Sequence, residues 1–191
     1  DPFFADVVEG IEQAARPAGY TVLLSATHNN LDEERRCIDN FRKRRVDGLL
    51  IASSRGTPTR GAAPGLPIVL INNQSKRLVE HIHNVSVDDR SGAGLAVRHL
   101  LALGHRRIGY LGVASRAQSN QRRLQGYRDA LAAAGVSTNP ALIATDPGMR
   151  AEPDADVIAG RALLPQLLAQ RITALFCYND MVAIGVLLAC R

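Results

Sequence analysis

The chain has 191 residues, 46% of them hydrophobic, enough for one large α/β domain or two small lobes around a real core, and this excludes a disordered reading. No apolar run approaches the roughly 20 residues that a membrane span needs, and Cys37, Cys177 and Cys190, odd in number and widely spaced, fit neither a disulfide framework nor a metal knuckle. The formal charge of +5 is modest and the arginines are spread along the chain, so charge alone does not point to nucleic acid.

Strand-like and helix-like patterns alternate almost throughout, which favours parallel sheets flanked by helices. Asp1-Pro2 reads as an N-cap followed by a first-turn proline, and Val7, Ile11 and Ala14 then recur at helical spacing. This helix is expected to end near Gly19, with Pro17 ending or kinking it early. Tyr20 to Ser25 reads as a short strand. From about Leu31 a helix carries Asp32, Glu33 and Glu34 in its first turn and Arg42 to Arg45 at its end, which complements the helix dipole. Gly48 to Ala52 and Pro67 to Ile71 are apolar runs suited to strands buried on both faces. Ser53 to Gly65, rich in Gly, Pro, Thr and Ser, reads as a loop or weak helix.

A second set begins near Val85. A helix is predicted from about Ser91 to Leu103, stopped at Gly104, then a strand over Arg107 to Val113, a polar loop from Ala114 to Asn120, and a helix from Gln121 to Ala134 ended by Gly135. A short strand near Leu142 to Ala144 precedes a loop-like stretch from Asp146 to Asp156. The chain closes with a helix over Val157 to Gln170, a strand over Thr173 to Cys177 and a helix over Asp180 to Ala189. The two halves share this rhythm, with a break around Asn84 to Asp89, so two lobes are expected, 1–86 and 87–191, with a cleft between them. The three cysteines read as buried thiols in a reducing cytosol.

Seven stretches, in order along nearly the whole chain, carry a family resemblance. They are Asp1-Pro2-Phe3-Phe4-Ala5, Arg45-Val46-Asp47-Gly48, Leu66-Pro67-Ile68-Val69, Val87-Asp88-Asp89, Gly104-His105-Arg106-Arg107-Ile108, Arg123-Leu124-Gln125-Gly126-Tyr127, and Phe176 to Ala183. Together they resemble the sensor domain of the LacI/GalR (lactose and galactose repressor) family of transcriptional regulators. The resemblance implies a two-lobed α/β fold of the periplasmic-binding-protein type, with parallel sheets flanked by helices and a small effector held between the lobes. A strand normally leads into the first segment, and considerable sequence follows the last one. A fragment with an incomplete cleft is therefore expected, in which Tyr20 to Ser25 lacks its inner partner strand.

The resemblance also nominates ligand residues. Phe3 and Phe4 match a position where an apolar or aromatic side chain faces the ligand and a ring can stack on it; the alternative is that they staple the helix to the core. Asn72, at the C-terminal end of its strand, matches a hydrogen-bonding position, against the plainer reading of a turn asparagine. Arg123 matches the ligand-binding arginine, whose planar fork can grip two oxygens, with Arg122 as its rival. Ser119 is a weaker hydroxyl contact. Asn179 matches a polar ligand contact, against the reading that it caps the following helix, a role for which Asp180 is the stronger candidate.

The remaining polar residues read as structural. His105 is a turn residue without a partner carboxylate at fixed spacing, and His81 and His83 alternate as on a strand without a third metal ligand. Asp88 and Asp89 look structural or lobe-linking. No Gly-rich phosphate loop, nucleophile elbow or metal cluster suggests a reaction or a cofactor, so an enzyme is not expected. No element looks able to read bases. A regulator of this type would therefore contact operator DNA through a domain outside this sequence, as a cytoplasmic homodimer with a sugar, sugar phosphate or purine-like effector and no membrane partner. The alternative is a periplasmic sugar-binding protein of a transporter.

Overall fold

The computed structural model describes residues 2–27, 30–52, 66–72, 82–114, 117–147 and 154–191. Among them are helices α1 (Pro2–Ala15), α2 (Leu31–Lys43), α3 (Asp89–Ala102), α4 (Ala117–Ala133), α5 (Ala155–Leu168) and α6 (Asp180–Ala189). The strands are β1 (Leu49–Ala52), β2 (Ile68–Ile71), β3 (Ile82–Val85), β4 (Ile108–Val113), β5 (Ile143–Asp146) and β6 (Ala174–Cys177). They form two three-stranded sheets, ordered β1-β2-β3 and β5-β4-β6, and every pairing is parallel. Parallel sheets flanked by helices were the expected class. The loop expected at Ser53 to Gly65, and His81, lie outside the described residues.

The second sheet is organised by β4, all six of whose residues are buried. Alternation along the strand turns Ile108 and Tyr110 toward Val97 and Leu101 of α3 and Tyr127 and Leu131 of α4. Leu111 and Val113 face the other way, onto Ala159 and Leu167 of α5 and Val182 of α6. The polar tips inside this core are paired: Tyr110 donates from its hydroxyl to Asn120 Oδ1 at 2.7 Å, and Tyr127 to the Ile108 carbonyl at 2.8 Å. Burial pushes the Tyr127 phenol up to about 12 and the Tyr110 phenol higher still.

The first sheet departs from two-sided burial. Leu49, Ile68, Leu70 and Ile82 pack with Ile38 and Phe41 of α2, but on the opposite face Leu50 is 51% exposed and Val85 is exposed as well. Apolar composition marked β1 as a strand without revealing that only one of its faces is covered among the described residues. Tyr20 to Ser25 is not a strand either. A strand requires a laddered neighbour, the segment makes no such pairing among the described residues, and Leu24 is 73% exposed. The cysteines also differ from expectation, since Cys190 is exposed and Cys37 and Cys177 are half-buried.

Helix ends follow the expected chemistry with shifts of a few residues. α1 tightens after Ala15 into a 3-10 turn over Arg16–Ala18 that contains Pro17, and Gly19 closes it with φ 80°. α3 starts earlier than the expected Ser91 because Asp88 caps it, accepting from the Ser91 backbone N–H at 3.0 Å. α4 begins at Ala117, four residues before the predicted Gln121. In its first turn Asn120 is buried, and its Oδ1 accepts from the Tyr110 hydroxyl. The His105-Arg106-Arg107 stretch ties elements together. His105 Nδ1 meets Thr173 Oγ1 at 3.0 Å, Arg106 donates to the Leu101 carbonyl at 2.9 Å, and Arg107 donates to the carbonyls of Gln170 and Arg171 past α5.

Two helix crossings depend on the absence of a side chain. A Cβ on Gly126 would lie 2.1 Å from the Arg90 carbonyl oxygen of α3, and one on Gly160 would lie 2.2 Å from the Val182 carbonyl oxygen of α6. Backbone cannot retreat as a side chain can, so Gly126→Ala and Gly160→Ala should each lower unfolding free energy by about 1–3 kcal/mol in urea titrations. Gly10→Ala, in α1 with open space around it, should instead raise it by roughly 0.5–1 kcal/mol. The Tyr127 phenol supplies a second check. Its folded value of about 12 lies above the unfolded 10.0, so its contribution is complete below pH 10 and is lost as pH rises toward 12. Thermal midpoints across that window should fall less steeply for Tyr127→Phe than for the parent protein.

Candidate functional site

A cleft of about 670 Å³ opens where the C-terminal ends of β2 and β6 meet the first turns of α1, α3, α4 and α6. Ligands of open parallel sheets bind at such strand ends. All six residues nominated from sequence, Phe3, Phe4, Asn72, Ser119, Arg123 and Asn179, line this one cavity.

Phe3 and Phe4 sit edge to face in the first turn of α1, with ring centroids 5.2 Å apart and planes 80° apart. Asn72 combines both of its readings. It occupies a left-handed turn with φ 54°, its N–H donates to the Val85 carbonyl at 2.7 Å, and its side chain forms part of the cleft wall. Its Oδ1 is buried with no hydrogen-bond partner among the described residues, an arrangement that native interiors rarely tolerate.

Arg123, and not Arg122, faces the cleft. Its Nε donates to Asp89 Oδ1 at 2.8 Å, its Nη1 donates to the Tyr178 carbonyl, and its guanidinium carbon lies 4.5 Å from the centre of the Tyr178 ring. Ser119 is in the first turn of α4, not on the expected loop, and its hydroxyl donates to Asp89 Oδ2 at 2.8 Å. Asp89 therefore holds both nominated residues, with a side chain only 1% exposed against 23% for Arg123. Beside it, hydrogen bonds from Ser91 keep the Asp88 carboxyl below its usual range.

Asn179 caps α6. Its Oδ1 accepts from the Val182 N–H at 2.9 Å, and its Nδ2 donates to Asp156 Oδ2 at 2.6 Å. The expectation that Asp180 caps this helix is corrected by the geometry. Asn179 has the extended backbone of a cap, with φ −150° and ψ 178°, and Asp180 is already the first helical residue. Cys177 also lines the cleft, and burial pushes its thiol up to about 11.

Sequence reasoning missed the cleft roles of Asp89, Tyr178 and Asp6. A usable signal for Asp89 was present: only one of two adjacent acids can cap α3, which leaves the other free to turn elsewhere. Tyr178 carried no comparable signal, because its ring reaches Arg123 only through the packing of α4 beside β6. His83 is exposed on β3, and no metal-ligating cluster occurs among the described residues.

The family model for periplasmic binding proteins and the sugar-binding domain of the LacI family matches residues 1–191. The transcriptional regulator GalR of Escherichia coli is 35% identical over 98% of this chain and 53% of its own length, so the chain spans about half the length of that relative. The crystal structure of transcription regulator GntR from Chromobacterium violaceum superposes with a TM-score of 0.77 at 31% identity, over 97% of this chain and 67% of that one. The Cra regulator of Pseudomonas putida, solved with fructose 1-phosphate, matches at a TM-score of 0.78 and 25% identity over 99% of this chain and 68% of its own. The chain belongs to the family of periplasmic binding proteins and LacI-type sugar-binding domains.

Proposed function

We propose that the chain is the effector-sensing part of a cytoplasmic, homodimeric transcriptional regulator. Residues 1–86 and 87–191 form its two lobes, and a small polar metabolite binds between them. Contact with operator DNA belongs to a domain outside this chain. The ligand acts through its differential affinity for two lobe arrangements, which changes how the DNA-contacting domains are spaced. The observation that carries this reading is the convergence of Phe3, Phe4, Asn72, Ser119, Arg123 and Asn179 on one cleft. In this reading the Phe pair stacks on an apolar ligand face, Asn72 accepts from a ligand donor, and Arg123 grips oxygen atoms. Ser119 and Asn179 complete the polar rim. The chain performs no reaction.

The regulators compared above support this assignment over that of a transporter-linked sugar-binding protein. The fructose 1-phosphate in the Pseudomonas regulator supports a sugar-sized occupant. In a thermal-shift screen of the full-length protein against sugars, sugar phosphates and nucleobases, a ligand at 100 times its Kd should add about 2.7 kcal/mol of stability. Arg123→Ala should weaken that ligand roughly 10- to 100-fold, the scale of a hydrogen bond to a charged group. A panel without any hit, together with operator affinity that no panel member alters, would sink the proposal.

A further inference from the structure

We propose that the basic end of α2 is a contact surface for the phosphate backbone of duplex DNA, through which the sensing part itself adds sequence-independent affinity. The inference rests on the regulator reading above and adds a second DNA contact to the one made outside this chain.

Placement separates this surface from the cleft. β1, β2 and β3 are parallel, and the cleft opens at the C-terminal end of β2, where Ile71 and Asn72 line it. α2 packs on this sheet through Ile38 and Phe41 and leads into β1 over residues 44–48. Its C-terminal end therefore lies at the strand starts, away from the cleft. The other end of the helix, roughly 20 Å back along its axis, carries Asp32, Glu33 and Glu34 in its first turn. The helix is acidic toward the cleft and basic at the far end.

Between residues 36 and 48 stand five cations, Arg36, Arg42, Lys43, Arg44 and Arg45, against two acids, Asp39 and Asp47. Asp39 meets Arg42 at 3.5 Å in an exposed pair. Lys43, Arg44 and Arg45 are exposed, and their side chains form no ion pair among the described residues. The dipole at a helix C-terminus amounts to about half a charge, too little to account for four adjacent cations. Arg45 adds an independent observation. It adopts φ 55°, the left-handed conformation that Gly19, Gly104 and Gly135 take where other helices of this chain end. Glycine does so with the least strain, so an arginine at this position keeps a charge against the preference of the backbone. Arg171 shares the conformation after α5, but no run of cations precedes it.

The chemistry of the patch fits DNA better than a protein partner. Duplex DNA presents one phosphate charge per ~1.7 Å of its axis, and guanidinium forks match phosphate oxygens. No large apolar side chain is exposed between residues 36 and 48, so the anchors that carry most protein interfaces are missing. Backbone contacts hold the duplex without reading it, and no base-reading element is required here.

Titration of the full-length protein with operator and unrelated duplexes, between about 50 and 200 mM salt, tests the proposal. Combined Lys43→Gln, Arg44→Gln and Arg45→Gln should weaken both duplexes tenfold or more. The same variant should lower the slope of log affinity against log salt by about 2–3, at ~0.9 per phosphate contact. The ratio between the two duplexes should stay as it is, because the lost contacts are to backbone. Arg44→Gln alone, at an exposed position with ordinary φ, should lower the slope by about 0.9, and Arg44→Lys with Arg45→Lys should keep the parent slope. Arg98→Gln, Arg128→Gln and Arg161→Gln together remove the same charge from exposed positions of α3, α4 and α5 and should leave the slope unchanged. A slope unmoved by the α2 variants assigns the patch to an acidic protein surface; it overturns the inference and leaves the regulator standing. An equal loss of slope in the charge-matched variant makes the effect one of net charge and overturns it too. A parent protein that binds neither duplex overturns the regulator reading and this inference with it.

Discussion

The two-sided burial of β4 is the constraint from which the second half of the molecule follows. A strand buried at every residue, with large apolar side chains on both faces, needs cover on both. Here α3 and α4 supply it against Ile108 and Tyr110, and α5 and α6 against Leu111 and Val113. Once these layers are set, the parallel register brings the C-terminal ends of β4 and β6 to one side. The first turns of α4 and α6, which follow those strands in the chain, open there too. Glycine at positions 126 and 160 lets the helices that cover β4 approach each other closely.

Within that frame the Asp89–Arg123 pair acts as a joint. It links the first turn of α3 to α4, and through Tyr178 it reaches the junction of β6 and α6. A carboxylate this deeply buried is tolerable only with its partner present, so the guanidinium is fixed in place before any ligand arrives. Positioning of this kind lowers the ordering cost of binding. It also means that the arginine faces the cleft as one part of a neutralised assembly. The Phe3–Phe4 pair and Asn72 complete the wall from elements of the other half.

Much of this was legible from sequence because it depends on short-range rules. Short apolar runs marked β1, β2, β4 and β6, and Gly19, Gly104 and Gly135 marked helix ends that close with positive φ. The six nominated residues share one cavity because ordered motifs preserve spacing along the chain. What escaped detection depends on tertiary partners. Tyr20 to Ser25 has strand composition but lacks a laddered neighbour among the described residues. The inward turn of Asn120 toward Tyr110, in the first turn of α4, joins residues ten positions apart and leaves no local signal. Asp180 and Asn179 both have cap chemistry, and only backbone geometry shows which one performs it. The partnership of Asp89 with Arg123 spans 34 positions, a separation on which no periodicity reports.

The arginines at the entry to β4 bear on how this molecule could be altered. Arg106 holds the Leu101 carbonyl in the last turn of α3, and Arg107 holds the Gln170 and Arg171 carbonyls in the connection from α5 to β6, so part of the basic excess works as backbone carpentry. Surface redesign that treats these two positions as interchangeable charge, trading them for lysine or glutamate to tune solubility or the isoelectric point, would unfasten the end of α3 and the connection from α5 to β6 at once. Lysine keeps the charge but loses the planar fork that reaches neighbouring carbonyls together. Charge-tuning at Arg35 or Arg42, whose only described ion pairs lie within one turn of exposed α2, would leave the fold's joinery untouched.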